Sequence, residues 1–131
     1  MSAIDLAKVN AELGRDAQGL VEWAIGLGQS PIVTTNFRPF EAVILHMVTR
    51  VKPDVPVVWM DNGYNTEATY RYADEVTKQL GLNLKIYLPL RTRAHREAVE
   101  GPLPGLDDPR HAAFTEEVKL EPVSYTHLTL P

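Results

Sequence analysis

The chain contains no cysteine among its 131 residues. That absence excludes disulfides, thiolate metal sites, iron–sulfur ligation and a cysteine nucleophile within these residues. No apolar run approaches the roughly 18 residues a membrane span needs. No charged and then apolar start leads to a small-residue cleavage site, so the cytoplasm is the expected compartment. Positive charge is not in excess: 13 Lys and Arg stand against 17 Asp and Glu, a net charge of -4 at pH 7. There is then no basic field for nucleic acid or membrane, and any anion site must be local. No two histidines have metal-ligand spacing. Asp107 and Asp108, ahead of Pro109, read as acidic helix caps, so no metal site is expected. Glu116 and Glu117 read as a solvated face, and neither an internal repeat nor a low-complexity tract is present.

What is present is the composition of a folded domain, 44% apolar and 23% charged. Ser2 with Asp5 three residues later makes a capping-box-like start for a first helix carrying Leu6, Val9 and Leu13, and Asp16 caps a second with Leu20, Val21, Ala24 and Ile25 on one face. Residues 31–35 are short, β-branched and bounded by turn residues, which predicts a buried strand. Pro39 suits the first position of a helix that is apolar nearly all round to Arg50, predicting one of the most buried elements, with His46 as a core histidine. Residues 55–60 form a strand apolar on both faces. Asn65 or Thr66 then caps a helix bearing Tyr70, Ala73, Val76 and Leu80, which Gly81 stops before a third strand within residues 82–88. Beyond Pro89 come a polar helix over 91–100, a Gly-Pro connector and a short helix over 109–117, while 124–131 fits no element. The βαβαβ order predicts an α/β fold with a parallel sheet.

Two strand-to-helix turns carry the candidate chemistry. Thr34-Thr35-Asn36-Phe37-Arg38-Pro39 follows the first strand and Asp61-Asn62-Gly63-Tyr64 the second, and the carboxyl ends of parallel strands are where such sheets hold nucleotides. Both turns are expected to face one ligand. Arg38 either supplies a charge-assisted phosphate contact or fills the pocket. Asp61 either accepts from ribose or adenine donors or caps the next turn, and Gly63 permits the turn. Beyond the third strand, Arg91 and Arg93 can neutralise a phosphate or sulfate, or form with His95 and Arg96 an exposed basic helix balanced by Glu97 and Glu100. The exposed reading favours His95 and Arg96 over Arg91 and Arg93.

The series Thr34-Thr35-Asn36-Phe37, Leu45-His46, Pro53-Asp54-Val55-Pro56-Val57-Val58-Trp59, Asp61-Asn62-Gly63-Tyr64, Glu67-Ala68-Thr69-Tyr70-Arg71 and Leu82-Asn83-Leu84-Lys85-Ile86-Tyr87 resembles the phosphoadenylyl-sulfate (PAPS) reductases of assimilatory sulfate reduction, over roughly residues 30 to 123. Against that family's D-T-G-Y and E-T-Y-R-F runs, Asp61, Gly63, Tyr64, Thr69, Tyr70 and Arg71 match, while Asn62 and Ala68 depart. In the first loop Arg38 stands where the family usually has glycine and Phe40 where it has glutamine. The resemblance implies a three-layer adenine nucleotide α-hydrolase-type fold with strand order roughly 3-2-1-4-5, of which about three strands are present behind two leading helices. It implies substrate contacts at Thr34, Thr35, Asn36, Phe37, Arg38, Asp61, Asn62, Gly63, Arg91 and Arg93.

The resemblance also implies a reaction in which a cysteine of a carboxyl-terminal E-C-G-x-H segment attacks the sulfate sulfur, and thioredoxin or glutaredoxin reduces the resulting thiosulfonate to release sulfite. That segment is absent here, so residues 1–123 are expected to be a partial nucleotide-binding domain, inactive alone. The K-x-E-P match at Lys119-Leu120-Glu121-Pro122 ends at Ser124, and residues 124–131 are expected to be a non-native or disordered tail of a truncated gene. PAPS against adenylyl sulfate (APS) as substrate, the oligomeric state and an iron–sulfur cluster in the parent protein stay open. The alternatives are an ATP pyrophosphatase-type adenylating enzyme, opposed by the lack of an S-G-G-x-D-S loop, and a non-catalytic adenine-nucleotide-binding module.

Overall fold

Three parallel strands, β1 (Val33–Thr35), β2 (Pro56–Met60) and β3 (Asn83–Tyr87), lie in the order β1-β2-β3 in a computed structural model that describes residues 3–128. Val33 is in register with Val57 and Val57 with Leu84, so each strand sets one alternate row of side chains on the same face. Before the sheet come α1 (Leu6–Leu13) and α2 (Ala17–Leu27). Between strands run α3 (Glu41–Val51) and α4 (Glu67–Leu80), and after them α5 (Arg93–Glu100) and α6 (His111–Thr115). The last of these continues through a π-helical turn (Glu116–Leu120) into α7 (Glu121–Leu128).

The parallel α/β class expected from the element order is the class observed, with helices on both faces. On one face Val57 and Trp59 pack with Leu45 of α3 and Ala73 and Val76 of α4, joined by Phe37 and Leu82. The other face carries Thr34, Val58 and Met60, which look across a cavity at Leu120 of the π-helical turn and Val123 of α7. β2 is covered from both sides, and its three central residues are all buried, as a strand that is apolar on successive positions demands.

Local signals set most boundaries. Asp16 caps α2 by accepting from the Gly19 amide at 2.9 Å, and Thr66, the second of the two candidate caps, opens α4 by accepting from the Thr69 amide. Gly81 closes α4 in the left-handed region at φ 61°, where a Cβ would be strained.

Several expectations need correction. Asp5 itself caps α1 by accepting from the Lys8 amide, while Ser2 lies outside the described residues. β1 is shorter than its β-branched run. α3 starts at Glu41, because Pro39 and Phe40 form a turn closed by the Glu41 amide on the Arg38 carbonyl. That helix is not among the most buried: only Leu45 and Val48 are enclosed, while Val43, Ile44 and His46 are exposed. It packs on the core and on α2, and its remaining flank meets solvent.

α5 starts at Arg93 rather than Arg91, with Thr92 as its cap. Asp108 does not cap α6: its carboxylate takes the Arg110 amide and guanidinium. This pairing holds the Asp108 carboxyl down to about 2. Residues 124–128, expected to form no element, belong to α7; residues 129–131 lie outside the described set.

Candidate functional site

The turn after β1 is organised by Thr35 and Glu41. The Thr35 hydroxyl donates to Glu41 Oε2 at 2.7 Å, the Asn36 amide donates to the same oxygen at 2.7 Å, and the Phe37 amide donates back to Thr35 Oγ1 at 2.9 Å. Burial pushes the Glu41 carboxyl up, but the hydrogen bonds from Thr35 and from the Asn36 and Arg38 amides, with the Arg38 charge, outweigh it and hold the group below its ordinary range. Phe37 adopts φ 54°, an unusual state for a bulky residue. Its ring lies in the core, edge-on to Trp59 at 4.9 Å. Turning Phe37 inward leaves Asn36 and Arg38 exposed at the strand end.

The turn after β2 is built on one carboxylate oxygen. Asp61 Oδ1 accepts from the Gly63 amide at 2.9 Å, from Asn65 Nδ2 at 3.1 Å and from the Tyr70 hydroxyl at 2.7 Å. Gly63 sits at φ 80°, and Asn62 Oδ1 takes the Tyr64 amide at 2.8 Å. The Asp61 amide donates to the Tyr87 carbonyl, which ties the turn to the end of β3.

The two turns meet. A polar cleft of about 310 Å3 is lined by Asn36, Arg38, Asn62, Asn65, Thr69 and Lys119, together with Phe37 and Pro39. Beside it an apolar cavity of about 460 Å3 is lined by Ile32, Thr34, Val58, Met60, Leu120 and Val123, together with Thr35, Asn36, Glu41 and Lys119. Asn36 and Lys119 belong to both, so the two spaces adjoin at the carboxyl end of β1. Arg38, itself exposed, is one of the residues lining the cleft. Asp61 and Gly63 shape the second turn from behind, and Asn62 alone of the three reaches the cleft wall.

Arg91 and Arg93 line neither space, although Arg93 packs against Gly63 of the second turn. Arg91 Nε and Nη2 donate to the two carboxylate oxygens of Glu117, each at 2.7 Å, and Nη2 also reaches Glu100. Arg93 pairs with Glu97 at 2.9 Å and lies 4.9 Å from the centre of the Tyr64 ring. The exposed reading of Arg96 is overturned: it is 4% exposed, lies over the Phe114 ring at 4.4 Å, and approaches Glu100 and Glu117 at 3.3 and 3.7 Å. Glu117 is therefore no solvated residue. The hydrogen bond from Arg91 outweighs burial and, with the Arg91 and Arg96 charges, holds its carboxyl below the ordinary range. This clamp fixes α5 to the π-helical turn that carries Lys119.

Lys119 lines both spaces, a position that neither strand-end turn announces. Its one signal in the sequence was its place in the K-x-E-P match. No ion pair among the described residues holds Arg38 or Lys119, although Arg38 lies close enough to Glu41 to stabilise its charge. Among the described residues no group of three or more His, Asp or Glu could hold a metal ion. With no cysteine in the sequence, an iron–sulfur cluster finds no thiolate ligand here. No described helix is long and apolar enough to cross a membrane.

The family model described as the phosphoadenosine phosphosulfate reductase domain matches residues 30–126. The chain is 41% identical over 100 residues to a phosphoadenosine 5'-phosphosulfate reductase of Synechococcus sp., covering 75% of this chain and 43% of that protein. It is 44% identical over 101 residues to the enzyme of that name from Xylella fastidiosa, covering 76% and 43%. It is 43% identical over 100 residues to that from Escherichia coli O9:H4, covering 75% and 41%. The matched stretch thus spans about two-fifths of these curated relatives. Among solved structures, the phosphoadenylyl-sulfate (PAPS) reductase of Candida auris, crystallised as a phosphate complex, superposes with a TM-score of 0.79 at 22% identity, over 98% of this chain and 64% of that one. At that identity the likeness shows the fold.

Proposed function

The chain belongs to the phosphoadenosine phosphosulfate reductase domain family, and from that premise we propose that it is the nucleotide-holding part of a cytoplasmic enzyme that reduces PAPS to sulfite and adenosine 3',5'-bisphosphate with thiol electrons. The observation that supports this most is the pair of adjoining spaces at the end of β1. One is apolar, of a size for a base and ribose, and one is polar, with the cations Arg38 and Lys119 on its wall. An adenosine moiety takes the apolar cavity. The phosphosulfate lies in the polar cleft, where Arg38 and Lys119 offset its charge and the side-chain amide groups of Asn36, Asn62 and Asn65 supply hydrogen bonds.

The chemical step needs a thiolate, and these 131 residues contain none. In the whole protein a cysteine attacks the sulfate sulfur and the bond from sulfur to the phosphate oxygen breaks. Adenosine 3',5'-bisphosphate leaves, and the sulfur is carried as a thiosulfonate. A dithiol of thioredoxin or glutaredoxin type then reduces that bond, becomes a disulfide and frees sulfite, which requires a reducing compartment. The residues described here bind and orient the nucleotide.

Calorimetric titration of the chain with PAPS, adenosine 3',5'-bisphosphate and ATP tests this reading. Binding of the first two in preference to ATP is expected. Equal or tighter binding of ATP, or no heat with any of the three, overturns it.

A further inference from the structure

Glu41 is the first residue of α3, and its carboxylate points back at the turn it follows. Thr35 Oγ1 and the Asn36 amide both donate to its Oε2 at 2.7 Å. Thr35 is 5% exposed, so its hydroxyl has little water to turn to. The donors at the exit of β1, facing the amino end of α3, are thus already taken by a fixed negative charge of the chain itself. That carboxylate also lines the apolar cavity beside Asn36 and Lys119. A second anion brought to the same donors would meet like charge in a partly desolvated place, where Coulomb repulsion is several times that in water. Arg38 and Lys119, by contrast, line the polar cleft, and among the described residues neither makes an ion pair with a carboxylate.

We infer that Glu41 is a specificity-determining residue at the junction of the cavity and the cleft: its carboxylate occupies the place an anionic group would take at the turn between β1 and α3, and directs a bound anion to the Arg38 and Lys119 side chains instead. The inference rests on the nucleotide-binding reading above. Removing the carboxylate leaves Thr35 Oγ1 and the Asn36 amide without an acceptor, a deficit that a phosphate oxygen makes good. Substitution of Glu41 should therefore tighten binding of a phosphorylated ligand and leave its unphosphorylated counterpart alone.

The test is calorimetric titration of wild type, Glu41→Gln and Glu41→Ala with adenosine 3',5'-bisphosphate and, separately, adenosine, with thermal melts of all three proteins. Glu41→Gln keeps an acceptor oxygen near the turn and so retains the fold if Glu41→Ala does not. A gain of about tenfold for the bisphosphate with Glu41→Ala, a smaller gain with Glu41→Gln, and no change for adenosine are expected. Bisphosphate binding by the variants alone also supports the inference. Wild-type binding with equal or weaker binding by both variants overturns the inference and leaves the nucleotide reading standing, as does a gain shared by adenosine. Silence from all three proteins overturns both.

Discussion

Tyr70 donates its hydroxyl to Asp61 Oδ1 at 2.7 Å, across the start of α4, onto the oxygen that also holds the Gly63 amide and the Asn65 side chain. Three donors on one oxygen make Asp61 the organiser of its loop. Burial first, and then the Asp61 contact, push the Tyr70 hydroxyl above its ordinary pKa, so it stays a donor. Tyr70→Phe should lower stability by about 1 kcal/mol. Asp61→Ala, which strands three donors, should cost roughly 1–3 kcal/mol and loosen Asn62 in the cleft wall. Urea unfolding read beside bisphosphate affinity checks both.

Phe37 keeps a left-handed backbone at φ 54° because its ring fills the core against Trp59. Phe37→Ala should cost about 3–5 kcal/mol, and Trp59, one of two tryptophans, should red-shift its emission as water reaches it. A loss under about 1 kcal/mol would show that the ring does not anchor the turn.

Arg38 and Lys119 both line the cleft and act on the same ligand in the proposed reading. Arg38→Ala and Lys119→Ala should each weaken PAPS binding about tenfold and flatten its salt dependence, with thermal midpoints little changed because both residues are exposed. Affinity measured at two ionic strengths decides this.

The Arg91–Glu117 clamp makes the far side of the cleft sensitive to acid. The folded pKa of Glu117 is depressed. Its contribution is therefore fully present above the ordinary glutamate value of about 4.3 and is lost as pH falls through the lower folded value. Glu117→Gln should remove that part of the acid loss and destabilise the protein by about 1–3 kcal/mol at neutral pH, because the buried Arg96 guanidinium loses a partner. Thermal melts between pH 3 and about 7 compare the two proteins.

Among the described residues β1 pairs only with β2, so its other edge is open. Next to it lies an apolar recess of about 250 Å3 formed by residues that include Ile25, Ile32 and Ile44, and Phe40 nearby in the chain is 90% exposed. Such an edge invites pairing. The chain should self-associate as its concentration rises, and sedimentation velocity finding one monodisperse monomer throughout would refute this.

The elements most legible in the sequence were those whose causes are local. The apolar run of β2 set its burial on both faces, and Thr66 and Gly81 bounded α4 with hydrogen bonds that reach only three to five residues. The two strand-end turns were legible as candidate ligand loops. Where the readings failed, the cause lay elsewhere in the chain. α3 is apolar nearly all round, but periodicity reports what a helix offers for burial and not what arrives to cover it. α5 reads as a polar helix, yet Arg96 is enclosed because Phe114 and Glu117 pack on it from the following helical segment.

By itself, then, the sequence determined the alternation of strands and helices, the parallel sheet and the pair of turns at its carboxyl edge. Hydrophobic period, capping and backbone permissiveness act over a few residues and are written in order along the chain. Only the tertiary structure decided which cations face the cleft and which are bound to carboxylates. Arg91 meets Glu117 across 26 residues of sequence, and the π-helical turn carries Lys119 to Asn36 and Asn62. Coulomb attraction and cavity walls depend on distance in space, which neighbours in sequence do not define.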